Sequence, residues 1–405
     1  MTEMTAAQAG GGLMSRDRVR FFFLNIGHFY DHMFMLIFAT VAVALAGMEG
    51  MTYGQLLGLL TPGLIMFGAG SLPAGWLADR WSRQGMIAVF FIGIGTASIM
   101  TGFADDSWQI MIGLGLIGLF ASIYHPVGIA MVVEGQERVG RALGINGVWG
   151  NMGLAAAPLL TGWLIEVSGW RAAFIVPGVV AILTGLAYIA FCRHDSRNPA
   201  AKRPGVADPG DHDLTRSVLV RVAISLTLTI LFGGVVFHAS AVALPKLFAE
   251  RLSDITTDIS AVGSFVAVVL AIASFAQIVV GHLLDKYPAR RILFVIALCQ
   301  VPMLALVASI SGLPIVFAGI LMMALIFGEI PIHDTIVTRH TKAVWRGRVF
   351  AVKFVLALLV AAVVPKLIGG LHDNYGLDVL FLVLAVAAGG VALSALVLPR
   401  PRQSA

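Results

Sequence analysis

The sequence predicts an all-α membrane protein of twelve transmembrane helices in two pseudo-symmetric six-helix bundles. Three observations predict it. The chain is 58% hydrophobic and only 12% charged. Apolar stretches of about 20 residues, each enough to cross the hydrocarbon as a helix, recur along its length. A pattern in the first half returns in the second. Soluble domains are near half apolar and a quarter charged, and the mean hydropathy here is +0.90. The 45 glycines fit the same class, because small residues let helices approach closely where lipid gives no hydrophobic drive to pack. Cys192 and Cys299 are the only cysteines, so no disulfide framework or thiolate metal site is expected.

The spans fall at 19–46, 55–78, 85–104, 108–133, 142–165, 171–192, 218–248, 257–284, 292–311, 314–338, 349–371 and 379–398. Residues 1–18, small and polar at their start, are expected as a disordered tail. The apolar stretch after Arg16, Arg18 and Arg20 is too long for a signal peptide and has no small-residue cleavage site after it, so the first helix stays in the membrane. Of the 27 Lys and Arg residues, all but Arg171, Lys246, Arg251, Lys353 and Lys366 lie on the side of the N-terminus, the even-numbered loops and the C-terminus. The positive-inside rule makes that side cytoplasmic, in a cell membrane such as a bacterial inner membrane. The net charge of +5 then has its cause in topology and does not call for nucleic acid. Residues 193–217, with Pro199, Pro204 and Pro209, read as a cytoplasmic linker. It divides a bundle at 19–192 from a bundle at 218–398, with a short tail at 399–405.

The repeat is explicit. After the second span the chain reads Gly75-Trp76-Leu77-Ala78-Asp79-Arg80; 206 residues on, it reads Gly281-His282-Leu283-Leu284-Asp285-Lys286, followed by Arg290. Gly140-Arg141 returns as Gly347-Arg348 at an offset of 207. Two matches at nearly one offset mark a parallel repeat of six helices.

The loop Gly75-x-Leu77-x-Asp79-Arg80, with a basic Arg83 after it, resembles the signature loop of the major facilitator superfamily, and the copy at 281–286 is what that family also shows. Ser82 stands where the family usually has Gly. The stretch Asn146-Gly147-Val-Trp-Gly150-Asn151-Met-Gly153 through Pro158 and Gly162 is similar to helix 5 of proton-driven drug exporters, with Ala157 in place of the Gly expected before Pro158. Gly27-His28-Phe29-Tyr30-Asp31 and Tyr124-His125-Pro126 are similar to the fosmidomycin-resistance branch. The resemblance implies a carrier whose helices 1, 4, 7 and 10 line a central cavity. It also implies a cytoplasmic latch of Gly75, Asp79 and Arg80, with Asp285, Lys286 and Arg290 as its copy, engaged when the carrier is open outward.

An ionisable residue at membrane depth is costly unless paired or hydrated, so each is a functional candidate. Those of this chain fall on the same four helices: His28, Asp31 and His32; His125; His238; Glu329, His333 and Asp334. Asp31 and Glu329 lie near the middle of their spans and are the candidate proton-coupling sites. His28, Tyr30, His32, Tyr124, His125, Asn151, His238, His333 and Asp334 are candidate cavity residues. The alternative is that the carboxylates only fix helix packing. The histidines could in principle hold a divalent metal, although hydrogen-bonded cavity residues are the commoner use, and no resident metal or other cofactor is expected. Gly144, Gly147, Gly150 and Gly153 form a small-residue face suited to packing. Lys353 could reach the cytoplasmic surface by extending along the helix.

No Gly-x-x-x-x-Gly-Lys-Ser/Thr loop appears, which argues against direct coupling to ATP hydrolysis. His28-x-x-Asp31-His32 could suggest a membrane metallohydrolase, but the six-helix repeat has no need of one, so no enzyme is expected. The resulting expectation is a monomeric secondary-active carrier whose partners are a small molecule, protons and lipid. Proton-coupled export of a small amphipathic compound leads, with transport of a small organic acid or a divalent metal as the alternative.

Overall fold

The computed structural model describes residues 4–46, 50–134, 139–194, 215–341 and 343–399. Among them no strand occurs, and eleven helices are long and apolar enough to cross a membrane. They begin with α1 (Arg16–Leu45), α2 (Tyr53–Arg80), α3 (Arg83–Gly102), α4 (Ser107–Val133), α5 (Arg141–Ser168) and α6 (Ala172–Arg193). The second half follows with α7 (Arg216–Arg251), α8 (Ile259–Lys286), α9 (Ala289–Ser309) and α10 (Pro314–His340). The last helical run, Ala343–Val397, has 55 residues, well over twice what one crossing needs. Gly376 breaks it with φ 82° and ψ 173°, leaving α11 (343–375) and α12 (377–397). Eleven helices with one such break give the twelve crossings expected.

Local sequence explains the boundaries. Thr52 caps α2 by accepting from the Gln55 amide, and the Gln55 side chain accepts from the Thr52 amide in return, the capping-box arrangement. Ser82, the residue that departs from the family loop, is extended at φ −167° and ψ 124° and accepts from the Gly85 amide. Serine is therefore used there as the cap of α3. Asp106 caps α4 in the same way through Gln109. Gly169 ends α5 with φ 82°, and Gly376 ends α11 at the same φ. These two left-handed positions, where glycine has no steric penalty, are 207 residues apart, so the repeat extends to its turns.

One expectation needs correction. The stretch 1–18 is not a disordered tail throughout, because the first helix begins at Met4. Ala6, Ala7 and Ala9 are strong helix formers, and lengthening an existing helix avoids the cost of nucleating one. Lys353 pairs with the half-exposed Asp334 of α10. Most of the linker at 193–217, the tail at 399–405, and Arg138 and Lys342 lie outside the described residues.

The two halves meet through α5 against α8, α2 against α11, and α1 against α7. This contact is uneven along the membrane normal. Toward the face opposite the termini, one buried apolar cluster runs through both halves, joining Leu57, Leu60 and Leu164 to Leu247, Val262 and Ile368. Toward the face of the termini, the second half keeps a separate cluster of its own, built on Leu226, Leu284, Leu293 and Ile336. A Cβ added at Gly54 would lie 2.7 Å from Cα of Gly369, and one at Gly369 would lie 2.6 Å from Cα of Gly54. Such an approach requires glycine on both helices.

Candidate functional site

The first site is built where α1, α4 and α5 converge. Asp31 is 1% exposed, and His125 Nε2 stands 3.1 Å from its Oδ2. His32 Nε2 is farther from the same oxygen, at 4.0 Å. Asp31 Oδ1 is buried without a hydrogen-bond partner. His28 Nε2 lies 3.1 Å from His32 Nε2, and His28 Nδ1 donates to the Asn146 carbonyl at 2.8 Å. That donation leaves Nε2 of a neutral His28 as the acceptor in the His28–His32 contact. Gly150 makes this possible, since a Cβ there would fall 2.7 Å from His28 Nε2.

Asn146 holds the site together. Its side-chain amide donates to Asn25 at 2.9 Å and to the Tyr124 hydroxyl at 2.8 Å. Tyr124 in turn donates to the Leu24 carbonyl at 2.7 Å. Tyr124 and His125 lie on a π-helical turn of α4, Tyr124–Gly128, that contains Pro126. His238 of α7 is within electrostatic range of His32, so the second half also faces this cluster. Asn151 is buried, with its side-chain nitrogen unpartnered. Tyr30 departs from its expected place: its hydroxyl pairs with Thr184 of α6 at 3.0 Å and its ring packs on Phe91 of α3. It therefore supports the bundle interior and does not join the cluster, because it is turned about 100° from Asp31 on α1.

His28, His32 and His125 bring one ligand atom each within 4.8 Å of one another. They could hold a divalent ion only by giving up contacts they already make with one another, with Asn146 and with Asp31.

The second site lies in the other half. Glu329 is 5% exposed, and its Oε1 accepts from Gln300 of α9 at 2.7 Å. His333 Nε2 is 3.9 Å from its Oε2, and Gly233 of α7 leaves room for that oxygen. Asp31 and Glu329 thus form separate sites, one in each bundle. An apolar groove of about 740 Å³ between α3, α4 and α6, lined by residues such as Trp81, Val89 and Phe120, contains none of the titratable candidates.

The two faces differ in their polar contacts. At the face opposite the termini, Asp373 of α11 accepts from the Thr52 hydroxyl and from the Gly54 amide at 3.2 Å, at the positive end of the α2 dipole. His372 bridges Asp373 at 2.9 Å and Glu250 of α7 at 3.1 Å, and its ring packs on Tyr53. At the face of the termini, Asp79 pairs within its own loop with Arg83 at 3.0 Å, and Arg80 lies over the Trp76 ring. Among the described residues no hydrogen bond or ion pair joins Asp79 or Arg80 to Asp285, Lys286 or Arg290.

The sequence profile described as Major Facilitator Superfamily matches residues 21–332 and again 252–405. The chain belongs to the major facilitator superfamily. It is a multi-pass membrane transporter and not an enzyme. Multidrug resistance protein MdtG of Escherichia coli O17:K52:H18 is 24% identical over 315 residues, covering 77% of this chain and 76% of that one. Puromycin resistance protein pur8 of Streptomyces alboniger is 33% identical over 129 residues, which span 31% of this chain and 25% of that protein. Among solved structures, a bacterial homolog of the human lysosomal transporter Spinster, inward-facing and unoccupied, covers 95% of this chain and 98% of its own at 17% identity and TM-score 0.75. A POT family transporter in complex with 5-aminolevulinic acid covers 93% and 95% at 13% identity and TM-score 0.71.

Within this superfamily fold, the residues that sequence reasoning missed are Asn25, Asn146, Gln300, Glu250, His372 and Asp373. Gln300 carried a signal, as a polar residue inside an apolar span. Asn146 stood within the helix-5 motif but was not singled out. His372 and Asp373 had none, because their partners Thr52 and Glu250 are remote in sequence.

Proposed function

We propose that the protein is a secondary-active exporter that exchanges protons for small amphipathic compounds by alternating access, with Asp31 as the principal coupling carboxylate and Glu329 as the second. The observation that carries this reading is a carboxylate buried at membrane depth whose close polar partner, His125 at 3.1 Å, is itself titratable. Such a group is expensive to keep in a bilayer unless it is used. The names of the relatives, multidrug resistance and puromycin resistance proteins, support a drug-like cargo and the direction of export.

Both termini are cytoplasmic in this reading and the carrier works as a monomer in a bacterial inner membrane. The conformation is then inward-open: the halves are joined through Thr52, His372 and Asp373 on the outer side, while the latch of Gly75, Asp79 and Arg80, with Asp285, Lys286 and Arg290, is disengaged. The latch would close across the halves in the outward-open state. A second reading, carriage of a divalent metal, rests on the grouping of His28, His32 and His125. A small organic acid is less favoured, since no Arg adjoins Asp31 to grip a carboxylate in bidentate fashion.

The test is a thermal-shift screen of purified protein at about pH 6 and pH 8, which bracket the histidine range. Lipophilic cations, organic anions, antibiotics and divalent metals are each repeated on Asp31→Asn. Ligand binding to the folded state raises its melting temperature with concentration. The expected outcome is a pH-dependent shift with an amphipathic organic compound that loses its pH dependence in Asp31→Asn. Shifts with transition metals alone, abolished in His28→Ala, would replace the drug-export reading with metal carriage.

A further inference from the structure

We propose that His125, set against Asp31 by the π turn of α4, is the partner through which the protonation state of Asp31 is passed to α4. The inference rests on the reading of Asp31 as the coupling site and assigns the residue and element that respond to it.

Pro126 supplies the local cause of the turn. Proline has no amide hydrogen for the helical ladder and its ring crowds the preceding turn, and α4 answers with the π turn Tyr124–Gly128. It is the only π-helical segment among the described residues. Single π turns inside α-helices concentrate at functional sites because they re-aim side chains. Here two consecutive residues both meet α1. Tyr124 is the fixed one: fully buried, held by Asn146 and the Leu24 carbonyl, with its ring against the bare face of Gly27. His125 is the half-buried one, 20% exposed, and its Nε2 lies 3.1 Å from Asp31 Oδ2.

The chemistry of the pair makes it a two-state contact. When Asp31 is ionised, Nε2–H of His125 donates to Oδ2 in a charge-assisted bond. Asp31 has no second bond of that quality, since His32 is 4.0 Å away and Oδ1 is unpartnered. A proton placed on Oδ2 would make that oxygen the donor, and His125 would have to present a bare Nε2 to accept it, in a neutral bond. A proton placed on Oδ1 would leave Oδ2 an acceptor but reduce the bond to a neutral one, about half as strong. In both cases the hold of α1 on the π turn is weakest when Asp31 carries a proton. The other groups facing the pair are His28 and His32 from α1, Tyr124 from α4 and His238 from α7, while α2 contributes the apolar Phe67 ring. None of them replaces the His125 bond at Oδ2. The π turn is therefore the element positioned to relax on protonation, with Tyr124 as its pivot.

Hydrogen exchange of the full-length protein in lipid nanodiscs, at one fixed pH, tests this. The proteins are wild type, Asp31→Asn (a neutral stand-in for protonated Asp31), His125→Ala, the double variant and His125→Gln. Peptides covering 120–130 should exchange about fivefold faster in each single Ala or Asn variant. The double variant should exchange no faster than His125→Ala, because both changes act on one contact. His125→Gln, which keeps an N–H donor, should restore most of the protection and so separate a lost bond from a misfolded helix. Unchanged exchange in Asp31→Asn, additive effects in the double variant, or no rescue by His125→Gln would each overturn the proposal. The pH dependence of ligand binding in Asp31→Asn judges proton coupling separately, so either idea can fail without the other.

Discussion

At the scale of single residues, an amide side chain holds each of the two candidate sites. Asn146 ties α5 to both α1 and α4 through Asn25, His28 and Tyr124, and Gln300 donates to Glu329. Each such bond has a modest net value, but a buried donor left without a partner costs about 1–3 kcal/mol. Glu329→Gln keeps a carbonyl oxygen for Gln300, so its unfolding free energy should stay within about 1 kcal/mol of wild type. Glu329→Leu strands the Gln300 donor and should lose about 1–3 kcal/mol. Denaturant unfolding of both variants checks this. Proton-driven accumulation should fall in Glu329→Gln despite its stability. Full retention of transport would reduce Glu329 to a packing role.

At the scale of elements, the glycine stripe of α5 divides its labour. Gly150 and Gly153 face α1, and a Cβ on Gly153 would stand 2.1 Å from the Phe29 carbonyl oxygen. Gly144, at the start of the stripe, has nothing within 4 Å. Gly153→Ala should therefore cost about 1–3 kcal/mol by overpacking, while Gly144→Ala should be neutral or stabilising by up to about 1 kcal/mol through helix propensity. Thermal unfolding of the pair separates a packing face from a spacer. Labelling of Thr52→Cys by a membrane-impermeant maleimide, in a background lacking Cys192 and Cys299, reports opening at the contact of α2 with α11.

At the scale of the whole molecule, one apolar cluster joins the two bundles toward one face, while among the described residues the second bundle keeps a separate cluster toward the other, an asymmetry of the kind alternating access needs. The joined face depends on Gly54 and Gly369, whose backbones approach too closely for any side chain. Gly369→Val should disfavour that closed face and shift the population toward the opposite opening. The labelling of Thr52→Cys should then increase about fivefold, the response to a change of about 1 kcal/mol between the two states. An unchanged rate would mean that the glycine contact is incidental to the conformational equilibrium.

The sequence by itself determined the helical crossings, the repeat of the signature loop and the family. Each of these follows from local hydropathy, from the distribution of Lys and Arg, or from a motif that returns at an offset of 206 or 207, and none needs a long-range contact. It also contained, at Ser82 and at Thr52 with Gln55, caps whose spacing is visible without coordinates. The tertiary structure alone decided the partners. Asp31 meets His125 across 94 positions because a π turn re-aims α4, Asn146 reaches α1 and α4 because α5 lies against α1, and Tyr30 turns to α6 although it adjoins Asp31. It decided, too, which face is closed, since Thr52 and Asp373 are more than 300 residues apart. Hydropathy fixes how deep a residue sits, but the direction of its side chain and the identity of its partner depend on how helices rotate against one another. In lipid that rotation is set by close packing at glycines and by a few buried hydrogen bonds.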